Sequence, residues 1–385
     1  MDRRAIVRSL LDWFAKNARD LPWRRTRDPY AIWISEIMLQ QTQVATVIPY
    51  WQRWMEELPT ILELAQAKPA RVHKLWEGLG YYTRARNLHR TAKLIVRNHE
   101  RRIPQTFDEV LQLPGIGRYT AGAICSIAFN QPCPVLDGNV IRVLSRIFGI
   151  EGNPRESQTN QRLWHLAEDL VLTAVEFPTP RAKPQKQQAR EKWNGERGGE
   201  KQPTTERFLA ADFNQAMMEL GALICTARQP RCSVCPCARF CTASIQQRTH
   251  ELPALNPRPR VTNRRFVAFV LEHRGRFLVR QRPEGVVNAF LWEFPNVEIS
   301  TKNGNLLSAA RKELGGNPVL NSFCSIKHSI TRFRITLDVF RVSVQTAKDA
   351  SWRCGGRWLT CRQLHRLPFT SAHKKILNML HTSQG

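Results

Sequence analysis

The sequence has no long apolar run. None approaches the roughly 20 residues needed to cross a bilayer, so no membrane-spanning helix is expected. The first residues, MDRRAIVRSLLDWFAK, also lack the sustained apolar stretch and the small-residue cleavage site of a secretory signal. They show amphipathic-helix spacing instead, with Ile6, Leu10, Trp13 and Phe14 on one side. These absences predict a protein of the cytoplasm.

Acidic residues are scarce. The chain has 32 Asp and Glu against 58 Lys and Arg, a formal net charge of +26. The excess positive charges repel one another, which favours a polyanionic partner such as nucleic acid. Simple solubility, or an arginine-rich composition from a GC-rich genome, is the alternative. The 385 residues, 42% of them hydrophobic, predict two folded domains with linkers and exclude wholesale disorder.

Helical spacing dominates residues 1–176. Apolar residues recur every three or four positions in a series of segments separated by Pro and Gly turn signals: 31–47, 61–76, 84–97, 106–113 and 118–129. The pattern breaks at 178–207, whose Pro, Gln, Lys, Arg and Gly predict a disordered basic insertion. Helical spacing resumes at 208–224.

A different character begins after the proline-rich segment 250–264, which is predicted to be a linker. Short runs of β-branched and aromatic residues predict strands at 266–271, 277–280 and 335–342. Helices are predicted at 307–314 and 369–381. The region 265–383 is therefore predicted to be a small α/β or α+β domain.

The stretch LQLPGIGRYTAGA, residues 111–123, has the pattern of two helices joined by a tight hairpin. Gly115 and Gly117 allow the backbone to approach a ligand closely. The free N–H groups at the start of the second helix suit a phosphate and read no base sequence. An ordinary turn between helices is the alternative.

Four cysteines lie within seventeen residues at the spacing C-x6-C-x2-C-x5-C: Cys225, Cys232, Cys235 and Cys241. This spacing predicts a metal site. Zinc and an iron–sulfur cluster both take four thiolates, although zinc usually binds paired C-x2-C units. Cys237 is a fifth cysteine in the segment and is predicted to be a bystander.

The hairpin, the downstream Asp137 and the cysteine spacing together resemble the endonuclease III superfamily of base-excision glycosylases. Further segments are similar to the MutY-type adenine glycosylases: LPWR (21–24), 28–54, GLGYYTRARNLHRTA (78–92) and NQAMMELGALIC (214–225). The resemblance implies a multidomain chain: an all-α helix-hairpin-helix glycosylase domain over 1–249, with an iron–sulfur cluster loop at 225–241, then an α+β Nudix-like domain over 265–383. It also implies a [4Fe-4S] cluster on Cys225, Cys232, Cys235 and Cys241.

Tyr119 stands where lyase-competent members of the superfamily carry a lysine. A tyrosine cannot form the Schiff base that cuts the strand. The sequence therefore favours a monofunctional glycosylase. The alternatives are a bifunctional endonuclease III-like glycosylase-lyase and a non-catalytic DNA-binding iron–sulfur protein.

Glu36 is the first candidate for catalysis. It lies in an apolar helix segment, where a charged carboxylate is costly and tends to take up a proton. A glutamate of raised pKa can protonate N7 of adenine and later activate water. A solvated helix glutamate is the alternative.

Asp137 is the second candidate, because the resemblance implies that it stabilises the oxocarbenium-like sugar. An N-cap for a helix over 138–148 is the other interpretation, and both can hold at once. Tyr119 and Asn139 complete the predicted catalytic set.

The resemblance also implies a set of DNA and base contacts. Gln41 would fill the gap left by an extruded nucleotide and Tyr81 would stack beside the opposing lesion, while its neighbour Tyr82 is the one expected to pack in the core. The predicted base and DNA contacts are Trp23, Arg24, Gln40, Gln41, Thr42, Tyr81, Gly115, Gly117 and Gln215.

The C-terminal region resembles the lesion-reading domain of MutY-type enzymes. Its segment ARKELGG (310–316) lacks the paired glutamates with which a Nudix hydrolase holds Mg²⁺, so nucleotide hydrolysis is not expected. Where the family usually carries Phe-Ser-His, this chain has Ile330-Thr331-Arg332. Thr331 and Arg332 are the predicted lesion contacts, and the change predicts weaker selectivity for 8-oxoguanine.

These features predict an adenine DNA glycosylase acting on adenine opposite 8-oxoguanine or guanine in double-stranded DNA. It is expected to be a bacterial, nucleoid-associated monomer without a membrane partner.

Overall fold

A computed structural model describes residues 2–177, 209–256, 261–299, 305–315, 318–330, 332–343 and 355–382. The predicted insertion 178–207 lies outside these residues. The chain forms two compact units: residues 1–40 with 102–256, and residues 41–101 with 257–385. Within the described ranges, no helix is both long and apolar enough to cross a bilayer.

The described helices, in chain order, are α1 (Arg3–Asn17), α2 (Pro29–Leu39), α3 (Val44–Glu57), α4 (Ile61–Gln66), α5 (Pro69–Leu75), α6 (Thr83–Asn98), α7 (Phe107–Leu111), α8 (Arg118–Phe129), α9 (Gly138–Phe148), α10 (Ser157–Val175), α11 (Leu209–Leu223), α12 (Thr242–Ile245), α13 (Leu306–Leu314), α14 (Cys361–Leu364) and α15 (Ser371–Thr382). The strands are β1 (Thr262–His273), β2 (Arg276–Gln281), β3 (Trp292–Glu293), β4 (Asn296–Ile299), β5 (Val319–Ile330), β6 (Phe333–Ser343) and β7 (Arg357–Thr360).

The first unit is helical and has one apolar core. Helix α9 is an example of how the sequence forms this core. Asp137 caps its first turn, Gly149 ends it in the left-handed region, and Val143 and Leu144 are fully buried. The predicted apolar side of α1 packs into the same core, with Trp13 at its edge. Burying these faces stabilises helices that are short enough to be marginal alone.

Two predicted helices are each broken in two. The segment 31–47 was predicted to be one helix, but α2 ends at Leu39 and α3 begins at Val44. The polar run between them places Gln41 at φ 56, a left-handed conformation that no helix contains. The segment 61–76 divides into α4 and α5 because Pro69 begins a new helix.

The second unit joins helices α3–α6 to a sheet. Trp54 and Trp76 meet edge to face in the helical part, with ring centroids 5.7 Å apart. The strands follow the order β3-β2-β1-β6-β5, with β4 paired to β1 and β7 to β2. The long pairs are β1 with β6, which is parallel, and β5 with β6, which is antiparallel.

Both faces of this sheet are covered. Along β1, Val267, Phe269 and Leu271 face the core containing α13, whereas Ala268 and Val270 face the core containing α15. A strand buried on both faces reads as a continuous apolar run, which explains FVAFVL. The predicted strands and helices of the C-terminal region are confirmed, and the fold is α+β.

Glu77 ties the helices of the second unit to its C-terminal part. Its carboxylate accepts a hydrogen bond from the Phe369 N–H at 2.9 Å and lies 3.3 Å from the ammonium of Lys374. Lys74 also donates to this carboxylate, at 2.8 Å, and to the Leu367 carbonyl at 3.1 Å. The side chain of Glu77 is only 14% exposed, so these partners replace water that it would otherwise bind.

Candidate active site

Glu36 lies on α2, a helix so apolar that nearly every residue in it is buried. Asp28 caps the first turn of α2 by accepting from the N–H groups of Tyr30 and Ala31. Glu36 itself is 5% exposed, and its Oε2 accepts a hydrogen bond from the Tyr119 hydroxyl at 2.6 Å. The prediction that this glutamate sits in an apolar setting therefore holds, and its partner is Tyr119.

The surroundings of Glu36 favour its protonated form. Burial raises the pKa of Glu36 to about 7, with a smaller upward contribution from the charge of Asp137. The hydrogen bond from Tyr119 and the charge of Arg24 act in the opposite direction. Burial and the neighbouring carboxylates raise the pKa of Tyr119 well above its ordinary value, so it remains a donor. A carboxyl group of this pKa can give and take protons near neutral pH.

Asp137 is the N-cap of α9, as one of the two interpretations predicted. Its Oδ1 accepts from the backbone N–H of Asn139 at 3.0 Å and of Val140 at 2.8 Å. Burial raises the pKa of Asp137, while these hydrogen bonds and the charge of Arg142 oppose the rise. Since the cap fixes the carboxylate at a helix N-terminus, a structural and a catalytic role are compatible here.

Asn139 and Arg142 hold Asp137 in place. The Asn139 amide donates to Asp137 Oδ2 at 3.0 Å, and its Oδ1 accepts from Arg142 at 2.8 Å. Arg142 also donates to the carbonyls of Gly221 and Cys225, both at 2.7 Å. The sequence analysis did not predict a role for Arg142. It follows Asn139 by three residues and so lies on the same face of α9, and this spacing is the feature of the sequence that could have identified it.

Glu219 is a second buried carboxylate that the sequence analysis missed. It is 1% exposed and accepts from Arg19 at 2.7 Å and from Arg24 at 3.0 Å. Burial alone would raise its pKa, but these hydrogen bonds prevail and lower the pKa of Glu219 to about 2. A lone glutamate in the apolar helix α11 is the same signal that identified Glu36.

Trp23 and Gln215, two further predicted base contacts of the first unit, are buried. Trp23 is 6% and Gln215 7% exposed. The Gln215 amide donates to the Ala211 carbonyl at 3.3 Å, and the Gln40 amide donates to the Thr120 hydroxyl at 3.4 Å. The contact with Thr120 places Gln40 beside the residue that directly follows Tyr119 in the chain.

The predicted hairpin joins α7 to α8. Gly115 has φ 78, which favours glycine, and Gly117 is the extended N-cap of α8. A methyl group built on Gly117 would meet open space, so a ligand can approach this backbone. The hairpin therefore has the form that the sequence predicted.

Three predicted DNA contacts lie in the second compact unit: Gln41, Thr42 and Tyr81. Tyr81 has φ 45 and is 46% exposed, whereas Tyr82 is 3% exposed and packs in the core, as predicted. Arg84 donates to the Thr42 hydroxyl at 3.3 Å, and its guanidinium lies 5.7 Å from the centre of the Tyr81 ring. The exposed ring of Tyr81 is thus available for stacking.

The four predicted metal ligands share one pocket. Cys225, Cys232, Cys235 and Cys241 line it together with apolar side chains and Arg146. Arg146 is 2% exposed and donates to Cys225 Sγ at 3.4 Å. Cys237 is fully buried. Among the residues that the structure describes, no three His, Cys, Asp or Glu side chains group as ligands of a single metal ion.

Of the triplet predicted to contact the lesion, Ile330 is the last residue of β5 and Arg332 directly precedes β6. Thr331 lies outside the described residues. Arg332 is exposed, its guanidinium lies 5.2 Å from the centre of the Phe333 ring, and its carbonyl accepts from the Thr262 N–H at 3.0 Å. Elsewhere in the Nudix-like region, Glu313 of ARKELGG pairs with Arg280.

Comparisons with known proteins identify the family of each part of the chain. The profile of the HhH-GPD superfamily of base excision DNA repair proteins matches residues 34–169, and the NUDIX domain profile matches 266–379. The adenine DNA glycosylase of Rattus norvegicus is 35% identical, over 98% of this chain and 78% of that protein. That of Buchnera aphidicola from Schizaphis graminum is 30% identical, over 96% and 97%. A solved thermostable thymine-DNA glycosylase has a TM-score of 0.50 at 27% identity, over 63% of this chain and 97% of that one.

Proposed function

Since the chain belongs to the adenine DNA glycosylase family of base excision DNA repair proteins, we propose that it hydrolyses the N-glycosidic bond of adenine mispaired with 8-oxoguanine or guanine in duplex DNA. One observation carries the proposal: Glu36 is a buried carboxyl with a pKa of about 7 that receives a hydrogen bond from Tyr119. Such a group suits the protonation of a poor leaving group.

Glu36 acts at both ends of the reaction. Protonated, it gives its proton to N7 of the extruded adenine, which allows the bond between C1′ and N9 to break. The resulting carboxylate then takes a proton from the water that attacks C1′. Tyr119 holds the carboxyl group through both steps and cannot form an imine, so the enzyme is monofunctional.

Asp137 stabilises the cationic sugar formed when adenine departs. A carboxylate is suited to the positive charge that develops at C1′. Its two backbone hydrogen bonds and the amide of Asn139 keep it oriented. Trp23, Arg24 and Gln215 are proposed to line the adenine pocket, with Glu219 holding Arg24 by two hydrogen bonds.

The four cysteines of the shared pocket fit a [4Fe-4S] cluster. All four cysteines line one pocket whose surface is apolar, and the cationic side chain of Arg146 donates to Cys225 Sγ, which suits a thiolate ligand. When bound, the cluster would supply a structural crosslink for residues 225–241. Arg228, Arg231 and Arg239 are exposed on this loop and are proposed to meet phosphates.

The remaining contacts hold the DNA. The hairpin at Gly115 and Gly117 is proposed to bind a phosphate, Gln40, Gln41 and Thr42 to enter the helix at the extruded adenine, and Tyr81 to stack beside the opposing base. We propose 1–249 and 265–383 as the functional domains of the sequence, although the contact-based units group residues 41–101 with 257–385. The protein is proposed to act as a monomer at the bacterial nucleoid.

A glycosylase assay tests the proposal. Duplexes with adenine opposite 8-oxoguanine or guanine should yield abasic sites that become strand breaks only after alkali treatment. Duplexes with adenine opposite thymine are the control and should stay intact. Trapping of a covalent DNA adduct by borohydride would contradict the monofunctional assignment and support the glycosylase-lyase.

The single-turnover rate of adenine release is expected to fall as the pH rises through about 7, because only protonated Glu36 can act as the acid. Well above that pH, the rate should drop about tenfold per pH unit. Tyr119→Phe removes a hydrogen bond that favours the charged form, so its alkaline limb should move to higher pH. A rate that does not change between about pH 6 and 9 would contradict the acid role of Glu36.

The preference for adenine opposite 8-oxoguanine over adenine opposite guanine is expected to be weaker than in relatives with Phe-Ser-His. Arg332 presents a fixed positive charge that favours phosphate over a base edge. The ratio of the two single-turnover rates measures this preference, and Arg332→His should increase it. Arg334→His, at another exposed arginine of the same hairpin, is the matched control and should leave the ratio unchanged. A large preference in the unmodified protein would refute the expectation.

A further inference from the structure

Two cysteines outside the predicted metal site lie together in the first unit. Cys125 is on α8 and fully buried, whereas Cys133 is half-buried in the segment between α8 and α9. Both are free thiols, and their side chains interact with each other. Nothing in the proposed glycosylase mechanism uses either residue.

Two glutamines enclose the pair. Cys125 Sγ donates to the Gln105 carbonyl at 3.8 Å, and the Gln131 amide donates to the same carbonyl at 2.9 Å. Cys133 Sγ in turn donates to Gln131 Oε1 at 3.8 Å. The thiols are therefore neighbours in one polar cluster that already orients both side chains.

The backbone around Cys133 is held close to α8. A methyl group built on Gly122 would lie 2.1 Å from the Pro134 carbonyl oxygen, so this segment packs directly on the helix. Proline on each side of Cys133 restricts the backbone further. The Gln131 N–H also donates to the Cys125 carbonyl at 3.1 Å. These contacts hold the segment that contains Cys133 against the helix that carries Cys125.

The two thiols differ in pKa and in accessibility, as the attacking and resolving cysteines of a redox-active pair do. The interaction with Cys125 lowers the pKa of Cys133, and the same interaction with burial raises the pKa of Cys125. Cys133 is also the more accessible of the two. The more accessible Cys133 is therefore suited to react first and the fully buried Cys125 to resolve the product.

We propose that Cys125 and Cys133 form a redox-active dithiol that a hydroperoxide oxidises to an intramolecular disulfide. The Cys133 thiolate attacks one oxygen of hydrogen peroxide; the O–O bond breaks, hydroxide leaves and a sulfenic acid forms. Cys125 then loses its proton and attacks the Cys133 sulfur; the S–S bond forms, the S–O bond breaks and water leaves. Two thiols are oxidised, the peroxide is reduced to water, and a dithiol reductant reverses the change.

The disulfide would join two segments of the site. Helix α8 carries Tyr119 at its start, and the segment that contains Cys133 runs into Asp137. Closure of this short loop would therefore fasten the backbone ahead of Asp137 to the helix that carries the partner of Glu36.

Peptide mapping of the full-length protein tests the dithiol directly. Tryptic cleavage after Arg118 and Arg142 gives one peptide, residues 119–142, whose two cysteines are Cys125 and Cys133. After treatment with hydrogen peroxide and alkylation, this peptide should be two hydrogen atoms lighter and carry no alkyl group. With dithiothreitol it should regain two alkylation sites.

Variants separate the two steps. Cys125→Ser should stop at the sulfenic acid, which a 1,3-dicarbonyl reagent traps on Cys133. Cys133→Ser should leave Cys125 reduced at the same peroxide dose. Cys324→Ser is the matched control, since Cys324 is half-buried on β5 and burial raises the pKa of its thiol; it should behave as the unmodified protein. Two alkylated thiols in the oxidised unmodified protein would overturn the proposal, and so would equal oxidation of Cys125 in Cys133→Ser. Because the unmodified protein alone can give the first of these results, the test does not depend on folding of the variants.

Discussion

Replacement of Glu36 by glutamine is expected to lower the single-turnover rate of adenine release by roughly 10²–10⁴-fold, the usual range for loss of a general acid. Glutamine has the same shape and can still accept the hydrogen bond from Tyr119, but it has no proton to give to adenine. The measurement is the rate of abasic-site formation in a duplex with adenine opposite guanine, with enzyme in excess. A variant within a few-fold of the unmodified rate would remove Glu36 from the mechanism.

The same variant should be more stable than the unmodified protein at alkaline pH. The pKa of Glu36 rises on folding from about 4.5 to about 7, so its favourable contribution is complete below the lower value and lost as the pH passes the higher. Relative to glutamine, the glutamate should therefore cost about 3 kcal/mol more above pH 7 than below pH 4.5. Denaturant unfolding at two pH values measures this difference and also shows that the inactive variant is folded.

Replacement of Asp137 by asparagine is expected to lower the rate of adenine release by about 10²–10³-fold, as removal of a transition-state charge partner does. Asparagine is nearly as good an N-cap as aspartate, so α9 should keep its first turn. The change therefore removes the negative charge that faces the cationic sugar and keeps most of the local structure. DNA binding by the variant, measured with an uncleavable adenine analogue, should stay within a few-fold.

Asp28→Asn is the matched control for this experiment. Asp28 is also an N-cap whose carboxylate accepts two backbone hydrogen bonds from the first turn of its helix. Its replacement should leave the rate nearly unchanged. Equal losses in Asp28→Asn and Asp137→Asn would mean that the N-cap, and not the charge opposite the sugar, carries the effect.

The sequence selected Glu36 as the proposed general acid but gave no means of separating it from Glu219. Glu36 and Glu219 are both single glutamates in apolar helices, and the same reasoning applies to each. The structure separates them: a neutral phenol faces Glu36, whereas two guanidinium groups face Glu219. Their pKa values move in opposite directions for that reason. Such partners come from distant parts of the chain, which helical periodicity does not relate.

Local patterns predicted most elements and missed their interruptions. The caps at Asp137 and Gly149 lie within a few residues of the helix they bound, so the sequence can show them. The end of α2 at Leu39 has no proline or glycine to mark it, and Gln41 adopts a left-handed backbone that glutamine rarely takes. The interruption falls on residues that are proposed to enter the DNA. Strained backbone is commonly found at functional sites, so this position agrees with that proposal.

The attachment of Glu77 to Phe369 and Lys374 has a consequence for dissecting this protein by deletion. A cut at the linker would remove Phe369 and Lys374 from the Glu77 carboxylate, which is 14% exposed, and would leave Lys74 without the Leu367 carbonyl. The linker therefore separates two regions of the sequence, but it does not separate two independent parts of the folded unit. A shortened chain would report the damage to helices α3–α6 along with the loss of the sheet, so single substitutions such as Arg332→His are the cleaner way to assign what the C-terminal region reads.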